Sequence, residues 1–347
     1  MDSTPVPLAL IGFGNVGRAF VRLLQAKRES LQTTFGLSWR VTGITTRRHG
    51  GALDPQGIDT AEALRLVESD QALAPLAARP VPTDVTEFLR ESGAQVLFET
   101  TPVNYETGQP AVEHLRAALR MGLHAITANK GPVVHAYREL TALARANGRH
   151  FYFESAVMDG APIFSLWRAA LPGADIRSFR GILNSTTNLI LTLMESGHTF
   201  DEAVAQAQTI GVAETDPSGD VLGWDAAVKV AALTTVLMDT PLTPDRVERQ
   251  GIEKITPREI AAARRSGRRW KLVCQAERAG EGVRARVAPE MLPPEDPLYT
   301  VMGTSSSITF ESDALGRLTI TEEDPGPVTT AFGLLADFIN AMRTPMD

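Results

Sequence analysis

The chain has 347 residues, of which 43% are hydrophobic and 22% charged, and its formal net charge is −7. This length and composition predict a globular protein of about two domains. The acidic balance argues against nucleic acid as a partner, because phosphate binding needs an excess of basic residues. No uncharged apolar run approaches about 18 residues, so we expect no membrane span. The one cysteine, Cys274, cannot form an internal disulfide and indicates a reducing, cytoplasmic location.

The first predicted strand, residues 6–11, is followed by a glycine-rich turn with the sequence Gly12-Phe13-Gly14-Asn15-Val16-Gly17. A helical pattern begins at once, and this is the context that a dinucleotide-binding turn requires. Gly12 allows the tight turn, Gly14 the approach of a pyrophosphate, and Gly17 the close packing of helix on strand. The helix N-terminus, at Asn15 and Val16, offers amide donors to phosphates. The alternative is a glycine-rich turn in another kind of α/β protein.

The second predicted strand, Arg40–Thr45, leads into Arg47 and Arg48. A site specific for NAD usually places Asp or Glu here, on the ribose 2′-hydroxyl. Two guanidinium groups suit a 2′-phosphate instead, so the sequence favours NADP over NAD. The alternative is that both arginines are solvated loop residues.

Two further strands, Gln95–Glu99 and His124–Thr127, end next to polar residues. In an open α/β sheet the carboxyl ends of the strands line the ligand crevice. We therefore expect Thr101, Pro102 and Lys130 to lie near the cofactor or substrate. An ordinary surface lysine is the alternative for Lys130.

The second half of the chain has a different pattern. Phe179–Leu183 is a predicted strand, and the residues 184–188 that follow it can either cap a helix or line a pocket. Cys274 lies in an apolar stretch and is predicted to be core. Ala288–Leu298, rich in Pro and Glu, predicts an exposed loop. The last predicted element is an apolar helix, Val328–Met342.

The most informative segment leads into a helix, Trp224–Met238, made almost wholly of Ala, Val and Leu. A helix that is apolar all round is typical of a core. Its first turns nevertheless carry Asp225 and Lys229, which are spaced i to i+4 and so share one face. Glu214 and Asp220 lie in the Pro- and Gly-containing loop just upstream.

Several carboxylates and one amine thus converge at the start of a buried helix. This pattern favours a pocket for a zwitterionic small molecule beside a proton-transferring lysine. The alternative is a structural ion pair, because buried ion pairs can imitate sites. The six His show no ligand spacing, which argues against a zinc site.

Seven segments together resemble homoserine dehydrogenase over nearly the whole chain, and they occur in the family's order. They are GFGNVG, TPVNYETGQPA, ITANKGPV, ESAVMDGAPI, GILNSTTNLIL, GVAETDPSGDVLGWDAAVKVAAL and PGPVTTAFGLLADFI. The sixth segment is the most specific, and the combination is far stronger than any single motif.

The resemblance implies an α/β fold, with a Rossmann-type doubly wound nucleotide-binding domain and a second α+β domain for substrate binding and dimerisation. We expect the first domain to comprise residues 1–148 together with a C-terminal helix at about 325–347, and the second residues 149–324. The implied reaction is the NAD(P)-dependent interconversion of L-aspartate 4-semialdehyde and L-homoserine. A homodimer is implied as well.

The resemblance also implies roles for individual residues. Lys229 matches the proton-transferring lysine, and Lys130 the lysine near the nicotinamide. Substrate contacts are implied for Glu214, Asp220, Asp225 and Thr186. Cofactor contacts are implied for the glycine-rich turn, Arg47, Arg48, Thr101, Pro102, Lys130 and Gly326. A structural Na⁺ or K⁺ is implied at a loop that contains Glu154, Val157, Asp159 and Ala161.

Two other functions remain open at this point. One is an NAD(P)-dependent dehydrogenase of another amino acid or of a sugar, and the other is a non-catalytic NADP-binding sensor. The sequence matches neither a kinase-like region nor an amino-acid-sensing domain. We therefore expect a monofunctional enzyme that threonine does not inhibit.

Overall fold

The computed structural model of the chain describes residues 4–343. Its strands are β1 Val6–Ile11, β2 Trp39–Thr45, β3 Gly51–Leu53, β4 Val96–Glu99, β5 His124–Thr127, β6 Phe151–Tyr152, β7 Ile176–Ile182, β8 Glu248–Arg249, β9 Arg269–Ala279, β10 Gly282–Leu292, β11 Ser306–Ser312 and β12 Gly316–Glu322. Its helices are α1 Asn15–Ala26, α2 Arg28–Phe35, α3 Thr60–Glu68, α4 Val85–Ser92, α5 Ala111–Arg120, α6 Lys130–His135, α7 Tyr137–Ala146, α8 Ile163–Ser165, α9 Ser185–Glu195, α10 Phe200–Thr209, α11 Ser218–Val221, α12 Trp224–Leu237, α13 Pro257–Arg265 and α14 Pro327–Arg343.

The chain folds into two units, one of which is discontinuous. The first unit contains the chain up to Pro162 and the chain from Gly326 onward, and the second contains Ile163–Pro325. The predicted divisions lie after residues 148 and 324. The first unit extends further because β6 pairs with β5 beyond residue 148.

The first unit is built on a six-stranded sheet with the order β3-β2-β1-β4-β5-β6. All neighbouring pairs are parallel except β2 and β3. The strand order reverses between β1 and β4, which is where ligands bind in doubly wound sheets, outside the carboxyl ends of the strands. The predicted Rossmann-type fold is confirmed.

The core of the first unit joins its two chain segments. Phe98 of β4 contacts Phe20 of α1, with ring centroids 4.3 Å apart, and Phe338 of α14, at 5.9 Å. All three rings are fully buried. The apolar helix predicted at the end of the chain is therefore part of the first unit.

The second unit is an α+β structure with the sheet order β12-β11-β7-β9-β10-β8. Its strand pairs are antiparallel apart from β10 and β8. The helices α9, α12 and α13 pack against β9. The face that α12 presents to this core is made of Ala, Val and Leu, which explains why the helix is buried along nearly its whole length.

The prediction of a loop over Ala288–Leu298 is wrong for its first half. Strand β10 continues to Leu292 and pairs with β9 down to Arg269. Pro289, which lacks an N–H, is tolerated because β8 pairs only with Arg286 and Val287, so that β10 is an edge strand at this point. Within residues 4–343, no helix is long and apolar enough to cross a membrane.

Candidate active site

The glycine-rich turn joins β1 to α1 by a backbone path that two of its glycines make possible. Gly12 has φ +97°, and a Cβ there would lie 2.7 Å from the carbonyl carbon of Thr100. A Cβ at Gly17 would lie 2.9 Å from the carbonyl oxygen of Gly12. Both positions therefore need glycine for close backbone packing, as the sequence predicted.

Gly14 differs from these two because it borders open space. A Cβ there would meet no atom within 4 Å, and its φ of −75° is available to any residue. Gly14 is the N-cap of α1, where no side chain caps the helix and the first turn holds no acidic residue. Such an N-terminus leaves N–H donors and a positive dipole end for an anion. The turn fits the pyrophosphate of a dinucleotide.

The two arginines after β2 have different surroundings. Both are exposed, and Arg48 donates a hydrogen bond of 2.8 Å to the carboxylate of Asp70. No ion pair of Arg47 is found in the described part of the chain. Arg47 is thus the guanidinium that a 2′-phosphate could reach without competing with a carboxylate.

The residues after β4 and β5 lie together at the carboxyl edge of the sheet. Asn129 caps α6 by accepting from Gly131 N at 2.9 Å. Its amide nitrogen donates to the carbonyl oxygens of Thr101 (3.1 Å) and Pro102 (3.3 Å). Lys130 is the first residue of α6 and is half-buried. Asn129, which sequence reasoning did not single out, thus ties the Thr101–Pro102 loop to the helix that carries Lys130.

The predicted cation loop is braced by α14 within the same unit. Glu154, Val157 and Ala161 are buried. Asp159 has φ +45°, and its carboxylate accepts a hydrogen bond of 2.5 Å from the hydroxyl of Thr330. Gly326 lies just before α14 and donates to Thr329 Oγ1 at 2.9 Å.

The second unit holds the predicted pair of charges on α12. The Lys229 ammonium lies 3.4 Å from the Asp225 carboxylate and donates a hydrogen bond of 2.6 Å to the carbonyl oxygen of Leu183. Asp225 is 7% exposed. The i to i+4 juxtaposition predicted from the sequence is confirmed, and it brings α12 to the end of β7.

Asn184 connects two aspartates of this cluster. Its amide nitrogen donates to Asp220 at 2.6 Å and to Asp225 at 2.9 Å. Its amide oxygen accepts from Thr187 N at 2.8 Å and so caps α9. The sequence left open whether this segment caps a helix or lines a pocket, and Asn184 caps the helix while it also contacts both carboxylates.

The pKa of Asp220 is raised above its usual value. Burial is the main cause, and the neighbouring Asp225 charge adds to it. Hydrogen bonds from Asn184 and Thr186 and the charge of Lys229 act in the opposite direction. Asp220 is thus a carboxyl group whose ionisation depends on its partners.

Thr186 and Glu214 occupy different surroundings. Thr186 is buried, and the one hydrogen of its hydroxyl is shared between the Asp220 carboxylate and the Val212 carbonyl oxygen, which lies 3.2 Å away. Glu214 is exposed, and among the described residues its carboxylate has neither an ion pair nor a hydrogen bond. The structure therefore brings Thr186 to the aspartate cluster and leaves the Glu214 side chain outside it.

Cys274 is fully buried, as the sequence predicted. Burial raises the pKa of its thiol to about 12. Because the thiolate is the nucleophilic form, this cysteine has a packing role.

Both units match known protein families. Residues 12–154 match the family model described as homoserine dehydrogenase, NAD binding domain, and residues 162–339 match the model described as homoserine dehydrogenase. The chain is 38% identical over 338 residues to an NAD(+)-dependent homoserine dehydrogenase of Pseudomonas canavaninivorans, a match that covers 97% of this chain and 96% of the relative.

Two solved structures have a similar fold. A putative homoserine dehydrogenase from Archaeoglobus fulgidus superposes with a TM-score of 0.84 at 28% identity and covers 96% of this chain and 98% of that one. A hyperthermophilic archaeal homoserine dehydrogenase in complex with NADPH gives a TM-score of 0.83 at 29% identity and covers 99% and 100%.

Proposed function

This chain belongs to the homoserine dehydrogenase family, and from that premise we propose that Lys229 transfers the proton that accompanies hydride transfer. The protein is an NAD(P)-dependent oxidoreductase that interconverts L-homoserine and L-aspartate 4-semialdehyde, a step of threonine and methionine biosynthesis. With the family established, no observation favours a different dehydrogenase or a sensor. The observation that carries the proposal is the geometry around the Lys229 ammonium.

The reaction requires one proton to leave the homoserine hydroxyl, or to reach the aldehyde oxygen in the reverse direction. An ammonium has three donors. The carbonyl oxygen of Leu183 accepts one of them, and the Asp225 carboxylate faces a second. A third remains for the reacting oxygen of the substrate. These contacts support the Lys229 ammonium as the general acid that protonates the aldehyde oxygen, and the neutral amine that this step leaves as the general base that accepts the hydroxyl proton in the reverse direction.

We propose that the carboxylates of the second unit bind the substrate's ammonium group. Asp220 and Asp225 are close enough to share Asn184, and their combined negative charge favours a cation. Thr186 supplies a hydroxyl at the same cluster. Glu214, although exposed, lies in the loop between α10 and α11 and is proposed as a further substrate contact.

In the first unit we propose that the cofactor binds at the carboxyl edge of the sheet. The proposed contacts are Gly12, Gly14, Asn15, Val16, Gly17, Thr101, Pro102 and Gly326. The nicotinamide ring supplies or accepts the hydride when it is bound. Lys130, at the start of α6, is the basic residue that we place beside the reacting carbon as a second catalytic group.

We propose that NADP is the preferred cofactor and that NAD is the poorer one. The support is chemical, since residues 46–50 contain two arginines and no acid. The contact of Arg48 with Asp70 points to Arg47 as the main ligand of the 2′-phosphate. The name of one relative specifies NAD(+), and one similar structure contains NADPH, so relatives alone do not decide the preference.

A structural Na⁺ or K⁺ is proposed at the loop that contains Glu154, Val157, Asp159 and Ala161. Among residues 4–343 no cluster of three or more His, Cys, Asp or Glu could hold a metal ion, so the ligands would be mainly carbonyl oxygens. Asp159 is held by Thr330 and would brace the loop. Replacing K⁺ and Na⁺ with tetramethylammonium should lower the melting temperature if the ion is bound.

We also propose that the protein is a homodimer and that it is located in the cytoplasm. The resemblance to the family supports the dimer, and the buried, unpaired Cys274 supports a reducing compartment. A sedimentation measurement that gave a monomer at micromolar concentration would contradict the dimer.

The proposed function is tested by absorbance at the reduced-nicotinamide band, with L-homoserine as substrate and NADP and NAD compared side by side. A rise with NADP and little with NAD supports both the reaction and the cofactor preference. A rise with NAD alone overturns the preference, and no rise with either cofactor overturns the function.

A further inference from the structure

Glu99 is a buried carboxylate at the edge of the sheet where we place the cofactor. It is the last residue of β4, lies between β1 and β5, and is 0% exposed. His114 Nδ1 lies 3.8 Å from this carboxylate, beyond hydrogen-bond distance. A charge in this position must be stabilised by hydrogen bonds from other groups.

The hydrogen bonds that Glu99 accepts come from two different loops. One carboxylate oxygen accepts from the backbone N–H of Thr101 at 3.0 Å and from the Thr101 hydroxyl. The other lies 2.9 Å from the hydroxyl of Thr127, whose one hydrogen is shared between this oxygen and the Glu99 carbonyl oxygen at 3.0 Å. Thr127 ends β5, and its hydroxyl oxygen in turn accepts from the N–H of Asn129 at 2.9 Å.

These contacts form a closed chain of bonds around the proposed nicotinamide site. Glu99 holds Thr101 on one side and Thr127 on the other, and Thr127 holds Asn129. Asn129 returns to the Thr101 and Pro102 carbonyl oxygens and also caps the helix that begins at Lys130. Within residues 4–343, the donors to the Glu99 carboxylate are Thr101 and Thr127, which both lie at the ligand edge of the sheet.

We propose that Glu99 is a positioning residue that locks the Thr101–Pro102 loop and the start of α6 into one rigid unit. Cofactor binding at the loop and the placement of Lys130 are then set together. This inference rests on the proposed function, because it assigns that loop to the cofactor and Lys130 to the reaction.

The test removes the link at Thr127 and leaves the catalytic and binding groups in place. Thr127→Val keeps the side-chain shape and deletes the hydroxyl that joins Glu99 to Asn129. Thr42→Val is the matched control, because Thr42 is also fully buried, lies in β2 of the same sheet and donates only to the Leu8 carbonyl oxygen. NADPH affinity is measured by fluorescence titration, and kcat and cofactor KM by steady-state kinetics.

We expect Thr127→Val to weaken NADPH binding by about tenfold and to lower kcat, because a bond to a buried charge is lost. Thr42→Val should change neither quantity. Thr127→Ser restores the hydroxyl but loses a methyl group. If the hydrogen bond sets the NADPH affinity, Thr127→Ser should bind NADPH nearly as well as the wild type. If only packing sets it, Thr127→Ser should bind NADPH more weakly than Thr127→Val. Thr127→Val and Thr42→Val with equal affinity and kcat would overturn the inference.

If Thr127→Val does not fold, Glu99→Gln makes the test at the carboxylate itself, because it keeps the side-chain shape and replaces one accepting oxygen with an NH2 group that cannot accept. A weaker NADPH affinity in Glu99→Gln than in the wild type supports the lock, and equal affinities overturn it. Failure of the proposed function would appear in the wild-type protein as an absence of homoserine-dependent NADP reduction. Failure of this inference would appear only in the variants.

Discussion

The Lys229 ammonium and the Asp225 carboxylate lie 3.4 Å apart on consecutive turns of α12. Asp225 is also held by Asn184, which contacts Asp220 as well. Lys229, Asp225 and Asp220 therefore form one connected group, and a change at any of them should alter the electrostatic environment of the others.

Lys229→Met is expected to lower kcat by roughly 10²–10⁴, the usual contribution of a general acid or base. Protein that remains folded by circular dichroism and still binds NADPH would show that the loss is chemical. Lys254→Met serves as the control, because Lys254 is exposed, and it should leave kcat unchanged. Wild-type turnover in Lys229→Met would exclude the assigned role.

Asn184→Ala should move the acid limb of the kcat/KM profile to higher pH. The bond from Asn184 lowers the pKa of Asp220, so its loss allows burial to raise that pKa further, and a higher pH is needed to ionise the carboxyl group. The variant should also lose about 1 kcal/mol of stability, because the cap of α9 is removed.

The control for Asn184→Ala is Thr256→Ala, which removes the cap of α13. It should cost a similar free energy of unfolding and leave the pH profile in place. An unmoved acid limb in Asn184→Ala would show that Asp220 does not govern the profile.

Gly14→Ala should lose cofactor affinity, whereas Gly12→Ala should lose stability. A methyl group at Gly14 meets open space, so the protein should keep its melting temperature and lose NADPH affinity by about tenfold or more, as expected when a backbone can no longer approach the pyrophosphate. A methyl group at Gly12 meets Thr100 and requires a strained φ, so that variant should lose stability. Unchanged NADPH affinity in Gly14→Ala would place the cofactor elsewhere.

Arg47→Ala should raise the KM for NADP by about tenfold and leave the KM for NAD nearly unchanged, since a charge-assisted bond to phosphate is lost. Arg48→Ala should have a smaller effect, because Arg48 is paired with Asp70. Equal changes for both cofactors in Arg47→Ala would contradict a 2′-phosphate contact.

Lys271 should make stability depend on pH in the alkaline range. It is 1% exposed, donates to Asn188 at 2.9 Å and also to the Val301 carbonyl oxygen, and burial lowers its pKa from 10.5 to about 8. Between these two values the unfolded chain binds more protons than the folded one, so the free energy of unfolding should rise with pH, by at most about 1.4 kcal/mol per pH unit. Below pH 8 both states are protonated and this contribution is constant.

Urea unfolding of the wild type and Lys271→Met at pH 7.5, 8.5 and 9.5 measures this effect as the difference between the two proteins. Lys254→Met, at an exposed position, should retain the wild-type dependence. Parallel pH profiles for the wild type and Lys271→Met would show that Lys271 does not titrate in this range.

The sequence predicted those features that a single continuous segment of the chain is enough to recognise. The glycine-rich turn was recognised because its glycines lie between a strand and a helix, and α12 because two charges interrupt an apolar helix. Strand β12 was missed because it is an exposed edge strand with no apolar run. The second half of β10 was missed because Pro and Glu suggested a loop.

The supporting residues of the site could not be found in the same way. Asn184 is 36 residues from Asp220 and 41 from Asp225 in sequence, so its contacts depend on the fold. Glu99 resembles any polar residue at the end of a strand until its burial and its donors are known. The roles of Asn184 and Glu99 can be recognised only from contacts that the fold makes between distant segments.

The discontinuity of the first unit has a consequence for synthesis. Its sheet and first helices emerge from the ribosome early, but Phe338 can pack against Phe98 only after the second unit has been made. Ile163–Pro325 is continuous and has its complete sequence sooner. The nucleotide-binding unit, whose chain emerges first, is therefore the last to complete its core, and a nascent chain that stalls before α14 should expose an apolar surface to chaperones and proteases.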